Sequence, residues 1–277
     1  MDQSTFFSFG GGVQSSALAL MLAANPEVFD NLGYPLPMHI IFADTGAEPD
    51  YVLKNVDNIF GILAKEGYKT YVVRARDTIL DECPSSSGRG ISTPPYYTKS
   101  SAGKIGILRR QCTKTYKIDP ITAKQREILG YKYKQKIPSG KANLWLGISV
   151  EEARRMRSSV NQWITNRYPL VDLRLDRSAC GAYAYKVLGY SVKKSSCFFC
   201  PFKHQEEWVS LKRDNPDLFD KAVEFDERIR NLTTFGKVNN PCYIHRSGLP
   251  LKDAAGVGIQ LSLFNQPEEE CNGTCFL

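Results

Sequence analysis

Two short stretches of this sequence carry residue types whose spacing could do chemistry. In Ser8-Phe9-Gly10-Gly11-Gly12-Val13-Gln14-Ser15-Ser16, three consecutive glycines precede two serines. Glycine lets a backbone approach an anion closely, and a helix starting there would aim unpaired N–H groups and the positive end of its dipole at the anion. Serine hydroxyls add donors. The stretch therefore predicts a phosphate or pyrophosphate site at Ser8, Gly10, Gly11, Gly12, Gln14, Ser15 and Ser16; an ordinary tight turn would need one glycine. The second stretch is Cys197-Phe198-Phe199-Cys200-Pro201. Two thiolates separated by two residues can chelate one centre, and proline after the second cysteine accompanies iron–sulfur ligands. With Cys112 and Cys242, four thiolates are available for a [4Fe–4S] cluster. A structural Zn²⁺ on the same thiolates, with His204 or His245, is a competing reading, and a dithiol redox pair is a third. Cys83 and Cys180 read as plain buried thiols, with Cys180 a lesser candidate for the fourth ligand.

The elements that must position these residues alternate. Residues 5–9, 38–43 and 69–73 read as strands, and residues 15–24 as an alanine- and leucine-rich helix. Pro49 opens another helix, in which Val52, Val56, Ile59 and Leu63 form an apolar stripe at helical spacing. Strand–helix alternation argues for βαβ units, and so for a doubly wound, mostly parallel α/β sheet. The glycine loop then joins its first strand to its first helix. Residues 81–104 hold Pro, Ser and Gly runs and read as a long loop, either a substrate cover or an insertion. A helix near 120–129, a strand at 144–148 and a charged helix at 151–158 follow. At 277 residues the chain is near the limit for a single core. The expected division is a nucleotide-binding α/β domain over 1–175 and a smaller cysteine-rich C-terminal region, 176–277, packing on the same core.

Charge and composition narrow the function classes. The net charge of +7 suits polyanions such as nucleotides or nucleic acid. No apolar run is long enough for a membrane span, and the N-terminus lacks a secretory pattern, so a cytoplasmic location is expected, with reduced cysteines. The expected partners are a nucleotide and, for so basic a chain, nucleic acid; a homodimer or accessory partner proteins are left open. Arg109, Arg110, Lys114 and Lys117 bracket Cys112 and are expected to favour its thiolate.

The glycine stretch resembles the PP-loop of the adenine nucleotide α-hydrolase superfamily, Ser-Gly-Gly-x-Asp-Ser, with Gly10 in place of the first Ser and Gln14 in place of the Asp. Phe42-Ala43-Asp44-Thr45-Gly46-Ala47-Glu48 is similar to a segment of phosphoadenosine-phosphosulfate (PAPS) reductases and their DNA-sulfur-modification relatives. That resemblance places Asp44 and Thr45 beside the nucleotide, where an acid would meet ribose, adenine or Mg²⁺; as a plain reading, Asp44 is a cap or turn former. Cys112 through Pro120 resembles the reductase cysteine segment, with Gln111 where those proteins have a second cysteine. Gly147 and the charged residues after it, among them Glu151, Arg154, Arg155 and Arg157, resemble the family's Gly-x-x-x-x-Glu-x-x-Arg segment. Glu270-Cys271-Asn272-Gly273 resembles the reductases' C-terminal nucleophile, which would make Cys271 catalytic. The resemblance implies ATP or another adenine nucleotide, Mg²⁺ and an iron–sulfur cluster. The activity it implies is ATP-dependent adenylation with sulfur transfer to a nucleic acid or small molecule, or else phosphosulfate reduction through Cys271. A third reading is a non-catalytic nucleotide- or RNA-binding accessory protein of a phage or plasmid system.

Overall fold

The computed structural model describes residues 3–82, 94–232 and 238–255. Strand β1 (Ser4–Phe9) leads through the glycines into helix α1 (Val13–Ala24), then to β2 (His39–Ala43), α2 (Asp50–Lys65) and β3 (Lys69–Val73). The first two strands are apolar on both faces, as a sheet covered on both sides demands. Phe7, Phe9, Ile40 and Phe42 enter a core with α1 and α2, whose residues Val52, Val56, Ile59 and Leu63 are all buried. Phe6, Ile41 and Ala43 face the opposite way, toward Ile121 and Trp163.

The chain continues through α3 (Ile79–Glu82), β4 (Tyr97–Lys99), β5 (Ile105–Ile107), α4 (Asp119–Ile128), β6 (Ala142–Leu146) and β7 (Ile164–Arg167). The main sheet has the order β3-β2-β1-β6-β7, with every pairing parallel. This is the expected doubly wound α/β arrangement. The chain leaves β1 toward β2 on one side and returns on the other as β6, so the carboxyl ends of β1 and β6 form the switch point where such sheets bind ligands.

The remaining elements are α5 (Pro169–Asp172), α6 (Arg177–Leu188), α7 (Gln205–Asp214), α8 (Pro216–Ile229), β8 (Cys242–Tyr243) and α9 (Leu251–Ala254). A second, antiparallel sheet has the order β5-β4-β8. The long loop expected over 81–104 thus contains strand β4, held by β5 and β8; residues 83–93 lie outside the described residues. The expected charged helix at 151–158 is a short 3₁₀ turn, Val150–Arg155, which Met156 ends by going extended.

Residues from both sides of position 175 pack together. Cys180 and Ala184 of α6 share a core with α1, while Ala47, Tyr96 and Tyr116 share another with Phe199, Trp208, Phe225 and Cys242. Phe199 stacks on Phe225 with ring centroids 3.8 Å apart. Burying a ring of this size stabilises by roughly 2–3 kcal/mol, enough to fix the loop that carries Cys197 and Cys200 against α8.

Candidate functional site

The glycine loop ends β1 and begins α1, with Gly12 at the N-cap, no side chain capping it and no acid in the first turn. The first amides of a helix lack intrahelical partners, so this end offers donors and positive potential to an anion. They face a cleft at the carboxyl ends of β1, β2 and β6, lined here by Ser8, Gly10, Gly12, Gln14, Ser15 and Gly147. Gln14 Nε2 donates to Ser149 Oγ (3.4 Å), and Ser15 Oγ donates to the Gly12 carbonyl (3.1 Å). A Cβ on Gly147 would stand 3.0 Å from Ser15 Cα, so only glycine lets β6 end this close to the loop.

Two expected phosphate-loop residues stand behind the cleft instead. Gly11 has φ +71° and a Cβ there would meet Val52 and Val56 at 3.2 Å; it makes the turn and touches the core. Ser16 is buried, its Oγ accepting from Asn55 Nδ2 (3.1 Å).

The end of β2 supplies the next wall. Asp44 is buried, but its Oδ1 accepts from the Gly46 amide (2.8 Å) and its Oδ2 from Arg74 Nε (2.9 Å). It does not line the cleft, so the geometry matches the turn-forming reading and not an open carboxylate. Thr45 does line the cleft, with its Oγ1 3.4 Å from Cys197 Sγ. Behind it, the fully buried Glu48 carboxylate meets Lys117 Nζ at 3.1 Å and accepts from Ser195 Oγ at 3.3 Å.

Lys117 reaches Glu48 from a π-turn, Lys114–Ile118, in which the Asp119 amide donates to the Lys114 carbonyl before α4 continues. Such turns inside helices are rare and frequent at functional sites. Burial works against the Lys117 ammonium, yet Glu48 and its hydrogen bond hold the pKa above the ordinary lysine value. Cys112 precedes this turn. The Cys197–Cys200 turn closes with the Cys200 amide donating to the Cys197 carbonyl (3.0 Å) and is tied to β2's end by the Phe198 amide donating to Ala47 (3.0 Å).

Cys112, Cys197 and Cys200 therefore line the same cleft as the glycine loop. Burial pushes the Cys112 thiol up, against the pull of Arg110; burial and then Glu48 push Cys197 up, against Lys117. Arg110 and Lys117 do favour the Cys112 thiolate, as expected, but desolvation outweighs them. Lys114 turns away to Asp119 (2.8 Å).

Cys242 stands elsewhere. It lies on β8 opposite Thr98, fully buried, and does not line the cleft. Burial pushes its thiol up to about 11, with Arg230 opposing. Cys180 is buried in the core beside α1, its thiol raised to about 12 by burial and then Glu151. Cys83, Cys271 and Cys275 lie outside the described residues, and with them the expected nucleophile. His204 caps α7, while His245 is held on both ring nitrogens, 2.7 Å from Ser247 Oγ and 2.7 Å from Gln205 Oε1. Among the described residues, no three of His, Cys, Asp and Glu converge as a single-ion site.

Sequence reasoning missed Gln125 and Glu152 as site residues, and it named Lys117 and quoted Glu48 without pairing them. Glu152 and Arg155 form a buried ion pair lining the cleft, whereas Glu151 accepts from the Arg177 amide (2.8 Å). The spacing from Gly147 to Glu152 and Arg155 was the available signal. The carboxylates of Glu48 and Glu152 each face a cation. No described helix is long and apolar enough to cross a membrane.

No family model matches the chain, and no curated protein matches it in sequence. Among solved structures, it is similar to a phosphoadenylyl-sulfate (PAPS) reductase from Candida auris, in a phosphate complex. The identity is 12% and the TM-score 0.39, covering 70% of this chain and 82% of that one. It is also similar to the U34-tRNA thiolase NcsA from Methanococcus maripaludis, solved with its [4Fe-4S] cluster. Here the identity is 10% and the TM-score 0.40, covering 85% of this chain and 80% of that one.

Proposed function

We propose that this chain is a PP-loop nucleotide enzyme of sulfur chemistry, with an adenine nucleotide on the glycine loop and an iron–sulfur cluster on Cys112, Cys197 and Cys200. The observation that carries this reading is that one cleft joins the loop to three thiols drawn from two distant segments. The donor set is all thiol, which suits iron–sulfur centres. Cys242, outside the cleft, is left out of the ligand set. When bound, such a cluster would supply iron–sulfide chemistry at the thiol end.

The residues then divide the work. The amides at the start of α1 hold the phosphates, and Arg110, Arg177 and Lys203 line the same cleft and offset their charge. The acceptor is an oxygen of a nucleic acid or small molecule. That oxygen attacks the α-phosphorus, pyrophosphate leaves, and a sulfide donor then displaces AMP, which carries the oxygen away. The Glu48–Lys117 pair holds the cleft wall next to Cys197.

The test is anaerobic purification followed by assay with ATP and RNA. About four iron and four sulfide per chain, with AMP and pyrophosphate released, is the expected result. Colourless protein holding one zinc overturns the cluster, and release of ADP with phosphate overturns the adenylation.

A further inference from the structure

Gln125, on α4, lines the cleft and belongs to none of the motifs so far described. Its side chain is 1% exposed, and neither its Nε2 nor its Oε1 has a hydrogen-bond partner among the described residues. Buried carboxamides are seldom left this way, because the lost water is not replaced. The cleft lining also includes apolar side chains: Ile121 one helical turn earlier on α4, Ala43 at the end of β2 and Leu144 on β6, which pack in one cluster, and Leu146 further along β6. This part of the lining therefore offers apolar surface together with a neutral, unpartnered carboxamide.

That group decides what fits. A carboxamide presents a donor and an acceptor side by side. A phosphate, which only accepts, would answer half of it. The edge of adenine, with its amino group beside a ring nitrogen, answers both halves, which is the pairing by which glutamine reads adenine in nucleic acids. Apolar surface complements the faces of the ring. We infer that this part of the cleft seats the base of the nucleotide and that Gln125 reads its amino edge. The inference rests on the glycine loop holding the phosphates of the same molecule.

Direct binding by calorimetry tests it with three probes: ATP, the triphosphate of purine riboside, which lacks the amino group, and inorganic tripolyphosphate. Wild-type protein is expected to prefer ATP over the purine riboside triphosphate by about tenfold. Gln125→Leu should bind those two alike and bind tripolyphosphate as wild type does. Because leucine removes an unpartnered polar group at similar volume, the unliganded variant should melt no lower than wild type.

A wild-type protein that binds ATP and the purine analogue equally overturns the assignment without any variant. So does a Gln125→Leu protein that melts lower, weakens tripolyphosphate as much as ATP, or keeps the tenfold preference. If wild type binds neither ATP nor tripolyphosphate, the glycine-loop reading itself falls. Binding of tripolyphosphate with no preference for the amino group removes only Gln125.

Discussion

At the glycine end of the cleft, one run of chain from β1 into α1 supplies the loop, the helix terminus and the hydroxyls. At the thiol end, the wall is assembled from the end of β2, the π-turn and the Cys197–Cys200 turn, held together by Glu48 bonding to both Lys117 and Ser195. The first construction is local and depends on backbone conformation. The second is distributed and depends on side chains that meet only after folding. Damage at the first should appear in the fold or in anion affinity, and damage at the second in the metal content and in the coupling between segments.

The sharpest way to break this comparison is through the thiols. Cys197→Ser and Cys112→Ala are each expected to abolish bound iron and AMP release, because each removes one donor from the cleft. Cys242→Ala should keep the iron and cost about 1 kcal/mol of stability, as a small truncation in a packed core does. Iron analysis and urea melts separate the two, and loss of iron from Cys242→Ala would falsify the three-thiol assignment.

The next largest effect separates two adjacent glycines. Gly11→Val puts a β-branched residue at a left-handed φ against Val52, Val56 and Phe42, for an expected loss of roughly 3 kcal/mol. Gly10→Ala meets only Ser15, at 3.5 Å, so stability should stay within about 0.5 kcal/mol. Its expected effect is weaker binding of ATP, by about tenfold. Equal melts for both variants would remove the distinction.

Legibility follows the same division. Residues 5–24 could be read because a strand, three glycines and an apolar helix lie in sequence order, and α2 announced itself through Val52, Val56, Ile59 and Leu63. The place of Cys242 could not be read, because it depends on β8 pairing with β4, a contact that no local pattern encodes. Glu48 and Lys117 meet only because a π-turn turns the lysine toward β2. Gln125 did leave a trace, as a polar residue one turn after Ile121 on the buried face of α4.

A moderate effect probes the distributed wall. Glu48→Gln leaves Lys117 facing a neutral partner, and since the lysine side chain is 30% exposed, water compensates in part. The expected cost is about 1–2 kcal/mol. Lys117→Met in the same background should recover some of it, and a double-mutant cycle in urea measures the coupling. Strict additivity would mean the pair does not tie the segments.

The smallest effect is a pH dependence away from the cleft. Burial, and then Arg246, depress the His245 pKa below its unfolded value of about 6.5. The neutral ring's contribution is therefore complete above about pH 6.5 and lost as pH falls below it, because the unfolded chain takes up the proton first. Stability should fall by at most about 1 kcal/mol between pH 7.5 and 5.5 from this group. His245→Gln should flatten that slope, and an unchanged slope assigns the dependence to other groups.

The π-turn has a consequence for how this protein tolerates change in length. A π-turn holds one residue more than an α-helix needs, so it behaves as an insertion carried inside a helix. Deleting one residue from 114–118 would let the backbone heal into a regular helix running into α4, with little loss of hydrogen bonding. The healed helix would rotate everything before it by roughly 100°. Cys112 and Arg110 would turn out of the wall while α4 and its contacts with the sheet stayed in place. A single codon could thus uncouple the two ends of the cleft without unfolding either one.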